Sequence, residues 1–313
     1  MSFHPENIKK ILMVSLTNIG DIILTFPVLD ILLRDFPEAR LSMIVGPKGE
    51  FLLKGHPRLH KLYIYNKHQP GLVTLKWMGE LRRERFDLAV DLRNSAIPFL
   101  AGARYRTSLL LARDKTEHML RQHLRRLMSV YPFESESKDR LALHIPDGER
   151  KPVDEILRAE APAGRPLAVL SPGAADHKKR WREEGFAAVA RALERDHGMT
   201  VVFVGDGNDR ETVQGIRQML KGRTVDLSGR ISLLQLGYLF SLCRMAVVND
   251  SAPLHMASYL GVPVVALFGP TDPARYGPWG RVHEVVRSGG EDVRLIPDQA
   301  VLDAIARVNG RMA

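Results

Sequence analysis

Short runs of consecutive apolar residues alternate along this chain with longer stretches whose apolar positions recur every three or four residues. The first pattern reads as strand buried on both faces, the second as amphipathic helix. In the first half, strands are expected at 10–16, 41–45, 61–65, 87–92 and 141–145, and helices at 21–35, 72–85 and 116–130. The 21–35 stretch carries Ile22, Phe26, Leu29 and Leu33 at helical spacing. Between 146 and 166 the pattern lapses. Four prolines, several charges and a short helical piece at 153–159 read there as a linker. The alternation then restarts, with strands at 167–171, 200–205, 224–227, 245–249 and 262–268 and helices at 183–195, 209–221, 233–243 and 253–260. A last helix is expected at 297–311.

Strands separated by helices imply right-handed βαβ units and parallel sheets. Two such series predict an α/β chain of two Rossmann-like domains, 1–150 and 151–313, facing a central cleft, with the terminal helix able to pack back toward the first domain. The length of 313 residues agrees with two domains. In such sheets ligands bind outside the carboxyl ends of the strands, so the loops there are the places to look for chemistry.

Composition narrows the class. Hydrophobic residues make up 45% and charged residues 26%, which excludes a disordered chain. Cys243 is the sole cysteine, which excludes an intramolecular disulfide and a cysteine zinc site and fits a reducing compartment. No apolar run approaches the length of a membrane-spanning helix, and the polar first ten residues lack a signal-peptide core. A soluble cytoplasmic protein is therefore expected. The net charge is +9, and it is localised: between Lys48 and Arg126 there are 17 basic and 7 acidic residues, which accounts for the whole surplus. An anionic partner follows: nucleic acid, an anionic membrane surface or a phosphorylated substrate.

Four loops at strand ends carry candidate residues. Thr17-Asn18-Ile19-Gly20-Asp21 places a carboxylate at a helix start, as a first-turn carboxylate or as a general base. Ser171-Pro172-Gly173-Ala174-Ala175, followed by His177-Lys178-Lys179-Arg180-Trp181, joins exposed backbone N–H groups to a cationic run. This makes either a diphosphate seat or a solvated basic turn. Its spacing does not match a P-loop. Gly205-Asp206-Gly207-Asn208-Asp209-Arg210 resembles a dinucleotide turn but has Arg210 where the third glycine belongs. Val248-Asn249-Asp250-Ser251-Ala252-Pro253-Leu254-His255 ends a strand and opens a helix, with small residues where a ligand would approach the backbone. A Gly- and Pro-rich loop, 268–280, follows.

Taken together, these motifs resemble glycosyltransferase family 9, the ADP-heptose:lipopolysaccharide heptosyltransferases and their relatives. NDSAPLHMASYLGVPVVALFGPTDPARYGPWG is similar to the family's C-terminal signature, Ile19-Gly20-Asp21 with Phe26-Pro27 to its first loop, and SPGA with Lys179-Arg180-Trp181 to its central loop. The motifs occur in family order. The resemblance implies a GT-B fold and inverting transfer of heptose from ADP-L-glycero-D-manno-heptose to the inner core of lipopolysaccharide, with no metal or other cofactor. Asp21 becomes the general base. Donor binding falls to Lys179, Asp250, Ser251, Ala252 and His255, with Gly173, Ala174, Ile231 beside the adenine and Glu211 toward the ribose. Ala252 stands where the family usually has glycine.

The basic first half then faces an anionic, lipid-anchored acceptor. Candidate acceptor contacts are Asn18, Gly20, Arg58, Lys61, Arg104, Arg106, Arg121, Arg125 and Arg126, since guanidinium groups pair well with phosphates and carboxylates. Peripheral contact with the inner face of the membrane fits the same charge. The competing readings are a family member with another nucleotide sugar or acceptor, a basic nucleic-acid-binding protein, and an NAD-dependent oxidoreductase. The basic stretch lacks interleaved aromatics, which disfavours the second. The incomplete glycine fingerprint disfavours the third.

Overall fold

The computed structural model describes residues 3–66, 71–110 and 114–312. Contacts divide the chain into two compact units, Met1–His144 and Ile145–Ala313.

In the first unit, β1 (Lys10–Val14), β2 (Arg40–Val45), β3 (Leu59–Ile64), β4 (Leu88–Asp91) and β5 (Tyr105–Arg106) form a parallel sheet in the order β3-β2-β1-β4-β5. One face buries Leu12, Val14, Ile44 and Ala89 with Tyr63, against Leu81 of the helix Gly71–Glu84 and Ile97 of the helix Ile97–Leu100. The helix Phe26–Asp35 lies beside the helix Met119–Met128.

Two expectations fail here for local reasons. The helix expected at 21–35 is broken into Ile19–Ile23 and Phe26–Asp35. Pro27 has no N–H to give to the carbonyl of Ile23. Thr25 takes the break instead: its Oγ1 donates to the Ile22 carbonyl at 2.6 Å. The strand expected at 141–145 does not form. Side chains satisfy that backbone: the buried Asp30 carboxylate accepts from Ala142 N at 2.7 Å, and His56 Nε2 bonds the Leu141 carbonyl at 2.8 Å. The edge strand is the two-residue β5 instead.

In the second unit, β6 (Leu167–Ser171), β7 (Thr200–Phe203), β8 (Val225–Asp226), β9 (Cys243–Asn249), β10 (Val264–Phe268) and β11 (His283–Arg287) form a second parallel sheet in the order β11-β10-β9-β6-β7-β8. Its core joins Leu170, Phe203 and Val247 to Phe186, Val189 and Leu193 of the helix Glu183–Arg195 and Val301 and Ile305 of the helix Asp298–Gly310. The terminal helix thus packs on β10, β11 and a helix of its own unit. Gly261 ends the helix Ala252–Leu260 with φ of 74°, a left-handed cap that a side chain would strain.

The interval read as a linker contains a full helix, Asp147–Glu160, with Pro152 inside it. Its buried Val153 lies on a face packed beside the helix Leu233–Leu242, and side chains tie down the rest. Tyr238 Oη donates to Asp154 at 2.9 Å, Ser232 Oγ to Glu149 at 3.0 Å, and Arg230 pairs with Glu160 at 2.8 Å.

His56 makes the first unit sensitive to pH. Its Nδ1 accepts from Arg58 N at 3.2 Å while Nε2 donates to Leu141, which requires the neutral ring. Burial holds this imidazole below its ordinary value of 6.5, against the raising effect of the Leu141 bond. Below about pH 6.5 the unfolded chain therefore takes up a proton that the folded chain refuses, and stability falls. Thermal melts should show Tm dropping between about pH 7.5 and about pH 5.5, with a shallower drop in His56→Gln. An equal slope in the variant would remove His56 from the account.

Candidate functional site

A parallel sheet brings ligand loops together where the strand order reverses. In the second sheet that point lies between β6 and β9, because β7 and β8 extend one way and β10 and β11 the other. The loops leaving β6 and β9 therefore lie side by side, and they carry the strongest sequence motifs. The structure joins them by an ion pair. Lys179 Nζ lies 2.6 Å from Asp250 Oδ2, and the side chains are 28% and 5% exposed.

Asn249, the last residue of β9, fixes this geometry. Fully buried, it donates from Nδ2 to the Pro172 carbonyl at 2.7 Å and accepts at Oδ1 from Trp181 N at 3.3 Å. One amide thus grips both ends of the loop that carries Lys179. Trp181 is buried and donates from Nε1 to the Ile296 carbonyl at 3.0 Å.

Gly173 and Ala174 are shaped by the next loop along. A Cβ on Gly173 would collide with the Asp209 carboxylate, and one on Gly205 would meet the same side chain. Asp209 accepts from Asp206 N at 3.0 Å and faces Arg180 at 3.8 Å, while Arg180 Nε donates to the Ala174 carbonyl at 2.8 Å. Burial pushes the Asp209 carboxyl up from its ordinary value. The G-x-G turn is thus a buttress: its glycine makes room for a carboxylate that supports the β6 loop.

The remaining donor candidates lie on the same edge. Ser251 is the N-cap of the helix Ala252–Leu260, but its Oγ donates to the Asn249 carbonyl at 3.1 Å and does not cap the helix. Ala252 is the first helical residue. His255 is buried and stacks on Trp279 at 6.0 Å between ring centroids, which ties the 268–280 loop to this helix. Ile231 is half-buried after β8, next to Ser232, which caps the helix Leu233–Leu242. Glu211 is exposed in the first turn after β7, and its charge contributes to raising the Glu183 carboxyl, after burial and Glu184.

In the first sheet the order reverses between β1 and β4. Asp21 stands in the short helix after β1, half-buried, and accepts from Asn18 Nδ2 at 3.1 Å. Gly20 precedes it in the same turn. The buried Ser15 and Thr25 hydroxyls bond at 2.8 Å and tie the end of β1 to the residue that follows this helix. Beside it, Asp91 ends β4. Its buried carboxylate accepts from Arg93 N at 2.8 Å and from Ser95 N at 2.5 Å, and it pins a turn in which Asn94 has φ of 65°. The Arg93 guanidinium lies 4.8 Å over the Tyr65 ring.

The basic candidates separate. Arg126 is buried and donates to the Asp91 carbonyl at 2.6 Å, and Arg125 pairs with Glu117 at 3.1 Å. Arg121, a turn earlier on the same helix, is exposed. Arg58, Lys61 and Arg104 do not join Asp21. They sit at or near the starts of β3 and β5, at the opposite edge of the sheet. Arg58 Nη2 donates to the Leu33 and Pro37 carbonyls, each at 3.1 Å, and so closes the end of the helix Phe26–Asp35. Lys61 lies 3.9 Å from Glu84 and 4.6 Å over the Tyr63 ring, and Arg104 lies 5.2 Å over Tyr105. These three sit at the amino-terminal edge, away from the strand ends where such sheets take their ligands. Asn249, Asp209 and Trp279 lie inside the quoted motifs without being singled out, and Asp91 goes unnamed, because a buried side chain announces itself only through its partners. Among the described residues, no group of three or more His, Cys, Asp or Glu is placed to hold a metal ion.

Comparison with known proteins gives the family and the fold. Residues 74–294 match the model of Glycosyltransferase family 9 (heptosyltransferase). The chain is 26% identical over 311 residues to a lipooligosaccharide heptosyltransferase 2 of Haemophilus ducreyi, covering 89% of this chain and 88% of that one. It is 23% identical over 303 residues to a lipopolysaccharide heptosyltransferase 3 of Escherichia coli, with 89% and 88% covered. Among solved structures, a family 9 glycosyl transferase of Veillonella parvula superposes with a TM-score of 0.83 at 23% identity, covering 97% of each chain. The ADP-heptose lipopolysaccharide heptosyltransferase II of E. coli superposes with a TM-score of 0.75 at 25% identity, covering 97% of this chain and all of that one.

Two substitutions test the built geometry. Gly173→Ala drives a methyl group into the Asp209 carboxylate and should destabilise by about 1–3 kcal/mol. Breaking a fully buried ion pair costs roughly 3–5 kcal/mol. With Lys179 28% exposed, Lys179→Met should cost about half that, and adding Asp250→Asn should restore part of it. A denaturant double-mutant cycle reads the coupling, and purely additive losses would show that the pair contributes nothing.

Proposed function

The chain belongs to glycosyltransferase family 9, and we propose that it moves heptose from ADP-L-glycero-D-manno-heptose to the inner core of lipopolysaccharide, with inversion and without a metal. The family is that of the lipopolysaccharide heptosyltransferases, its members are glycosyltransferases, and the fold is GT-B with two parallel sheets. The observation that carries the finer reading is the Lys179–Asp250 pair at the strand-order reversal of the second sheet.

The donor's diphosphate needs positive potential, and its terminal phosphate gains charge as the sugar leaves. Lys179 is held on a loop whose two ends are fixed by Asn249. Asp250 keeps the ammonium group at the carboxyl end of β9, beside the start of the helix Ala252–Leu260. The Ser251 side chain does not cap that helix start, so the helix N-terminus and its dipole add to the cation. In this reading Ile231 borders the adenine, Glu211 meets the ribose, and Gly173, Ala174, Ser251 and His255 shape the remaining donor contacts. Crystal structures of the E. coli heptosyltransferase WaaC with ADP and with ADP-2-deoxy-2-fluoro heptose share the fold at TM-scores of 0.74 and 0.71.

The acceptor side belongs to the first unit. Asp21 takes the proton of an acceptor hydroxyl as its oxygen attacks the anomeric carbon. The bond from that carbon to the diphosphate oxygen breaks, and ADP leaves with the electron pair. A single carboxylate suffices, because the diphosphate is already a good leaving group and the attack comes from the opposite face. Asn18 orients Asp21 through its amide, and Arg121 and Arg125 supply charge toward phosphates or sugar carboxylates of the core. The enzyme works in the cytoplasm, at the inner face of the membrane where a lipid-anchored acceptor is presented.

ADP release from ADP-heptose and a truncated lipopolysaccharide tests this directly. Turnover should survive chelator, and Asp21→Asn should lower kcat by roughly 10²- to 10⁴-fold with little change in donor KM. Lys179→Ala should act mainly through the donor. Turnover abolished by chelator would overturn the metal-free step, and an active Asp21→Asn would remove the base assignment.

A further inference from the structure

Among the described residues, no helix is long and apolar enough to cross a membrane. Besides Phe51 and Met128, which stand apart in the sequence, the first unit exposes four of its described large apolar side chains in one stretch of the chain. Phe99 and Leu100 are 45% and 51% exposed in the helix Ile97–Leu100, and Leu109 and Leu110 are 36% and 94% exposed just after β5. These segments flank the outermost strand on that side of the sheet. Arg106 joins them: it lies on β5 with its guanidinium 4.1 Å from the centre of the Phe99 ring, and its Nη1 donates to the Ala103 carbonyl at 2.9 Å. Singly exposed leucines are ordinary on a protein surface, but apolar side chains gathered along one edge are not.

The charges around them have one dominant sign. Arg104, Arg106, Lys115 and Arg121 are all exposed, and the acidic residues in this stretch are Asp114 and Glu117, the latter already paired with Arg125. Apolar tips rimmed by cations fit one kind of partner, a bilayer whose interface takes the apolar groups and whose anionic headgroups meet the cations. A protein partner would instead be expected to offer acidic residues around an apolar pocket.

We propose that Phe99, Leu100, Leu109 and Leu110, with Arg104 and Arg106, form a surface that docks the enzyme on anionic phospholipid. The role follows from the proposed function, in which the acceptor is lipid-anchored, but the binding itself is independent of any transfer. The same β4–β5 side of the sheet carries the Asp91 turn next to the strand that leads to Asp21, so a docked first unit keeps its acceptor loops near the bilayer.

Vesicle flotation tests the surface without a glycosyl acceptor. The wild-type protein should float with vesicles containing phosphatidylglycerol, release with rising salt, and stay behind with pure phosphatidylcholine. Phe99→Ser/Leu110→Ser should lower the bound fraction by roughly tenfold or more. Arg104→Gln/Arg106→Gln should weaken binding by several-fold and flatten its salt dependence. In a second arm, the apolar variant should lose rate on acceptor embedded in vesicles and keep the wild-type rate on a delipidated core oligosaccharide. Failure of the wild type to float, or flotation unchanged in both variants, overturns the docking surface even if transfer is intact. Absence of transfer from ADP-heptose to the delipidated core, with flotation as expected, would instead count against the proposed reaction alone.

Discussion

Everything at the candidate site depends on the single direction in which the strands of each sheet run. With every pair parallel, all carboxyl ends share one edge and every return helix runs back to the other. The position where the strand order reverses then leaves a gap that no crossover helix covers. In the second sheet that gap receives the loops after β6 and β9, and in the first the loops after β1 and β4. The residues at those four points need not be near in sequence. Lys179 and Asp250 are 71 positions apart, and their contact is a consequence of topology before it is one of chemistry.

Topology alone leaves the loops too loose to hold a charge in place, and buried amides and carboxylates supply the rest. Asn249 can hold the β6 loop because it is fully buried, where an unmade hydrogen bond costs about 1–3 kcal/mol and a satisfied one has no competing water. Asp209 does the same from the other side, with glycines at 173 and 205 as the condition for its fit. Asp91 has the equivalent task in the first unit. Each of these side chains bonds backbone groups, so each fixes the path of the main chain and leaves the reactive groups to neighbours. The division suits the proposed roles of Lys179 and Asp21, since a group already saturated by its own loop meets a ligand poorly.

The sequence was most legible where burial is symmetric. The strands that became β1, β2, β6, β7, β9 and β10 are continuous apolar runs, and their order of appearance with helices between them leads directly to parallel sheets. Half-buried or side-chain-supported elements were not legible. β11, with the sequence His-Glu-Val-Val-Arg, is an edge strand whose pattern is too short and too polar to stand out. Of the helix Asp147–Glu160 the sequence shows only the piece after Pro152, and the full helix is tied to residues some 70 to 84 positions away. The Leu141 region looked like strand because its residues are apolar, but its backbone is claimed by His56 and Asp30. For the site, motif order leads to loops that follow the carboxyl ends of β1, β6 and β9, where Asp21, Lys179 and Asp250 stand. The scaffold residues beneath them carry no pattern visible along one dimension.

Charge shows where a sequence reading stops being able to choose. The surplus between Lys48 and Arg126 predicts the sign of a partner, and it treats every arginine in the stretch alike. The structure does not. Arg58 and Arg126 direct planar, multiply donating groups at main-chain carbonyls, work that a lysine's point charge would do less well. Lys61 and Arg104 lie over aromatic rings at the edge away from Asp21. Arg106 lies over a ring too, but Phe99 is itself exposed, so the same kind of contact that secures the fold at one edge presents an apolar and cationic surface at another. Whether an arginine serves the chain or a partner is decided by what its carbon stem and its guanidinium plane touch, and those contacts follow from the end of the strand to which its loop is attached.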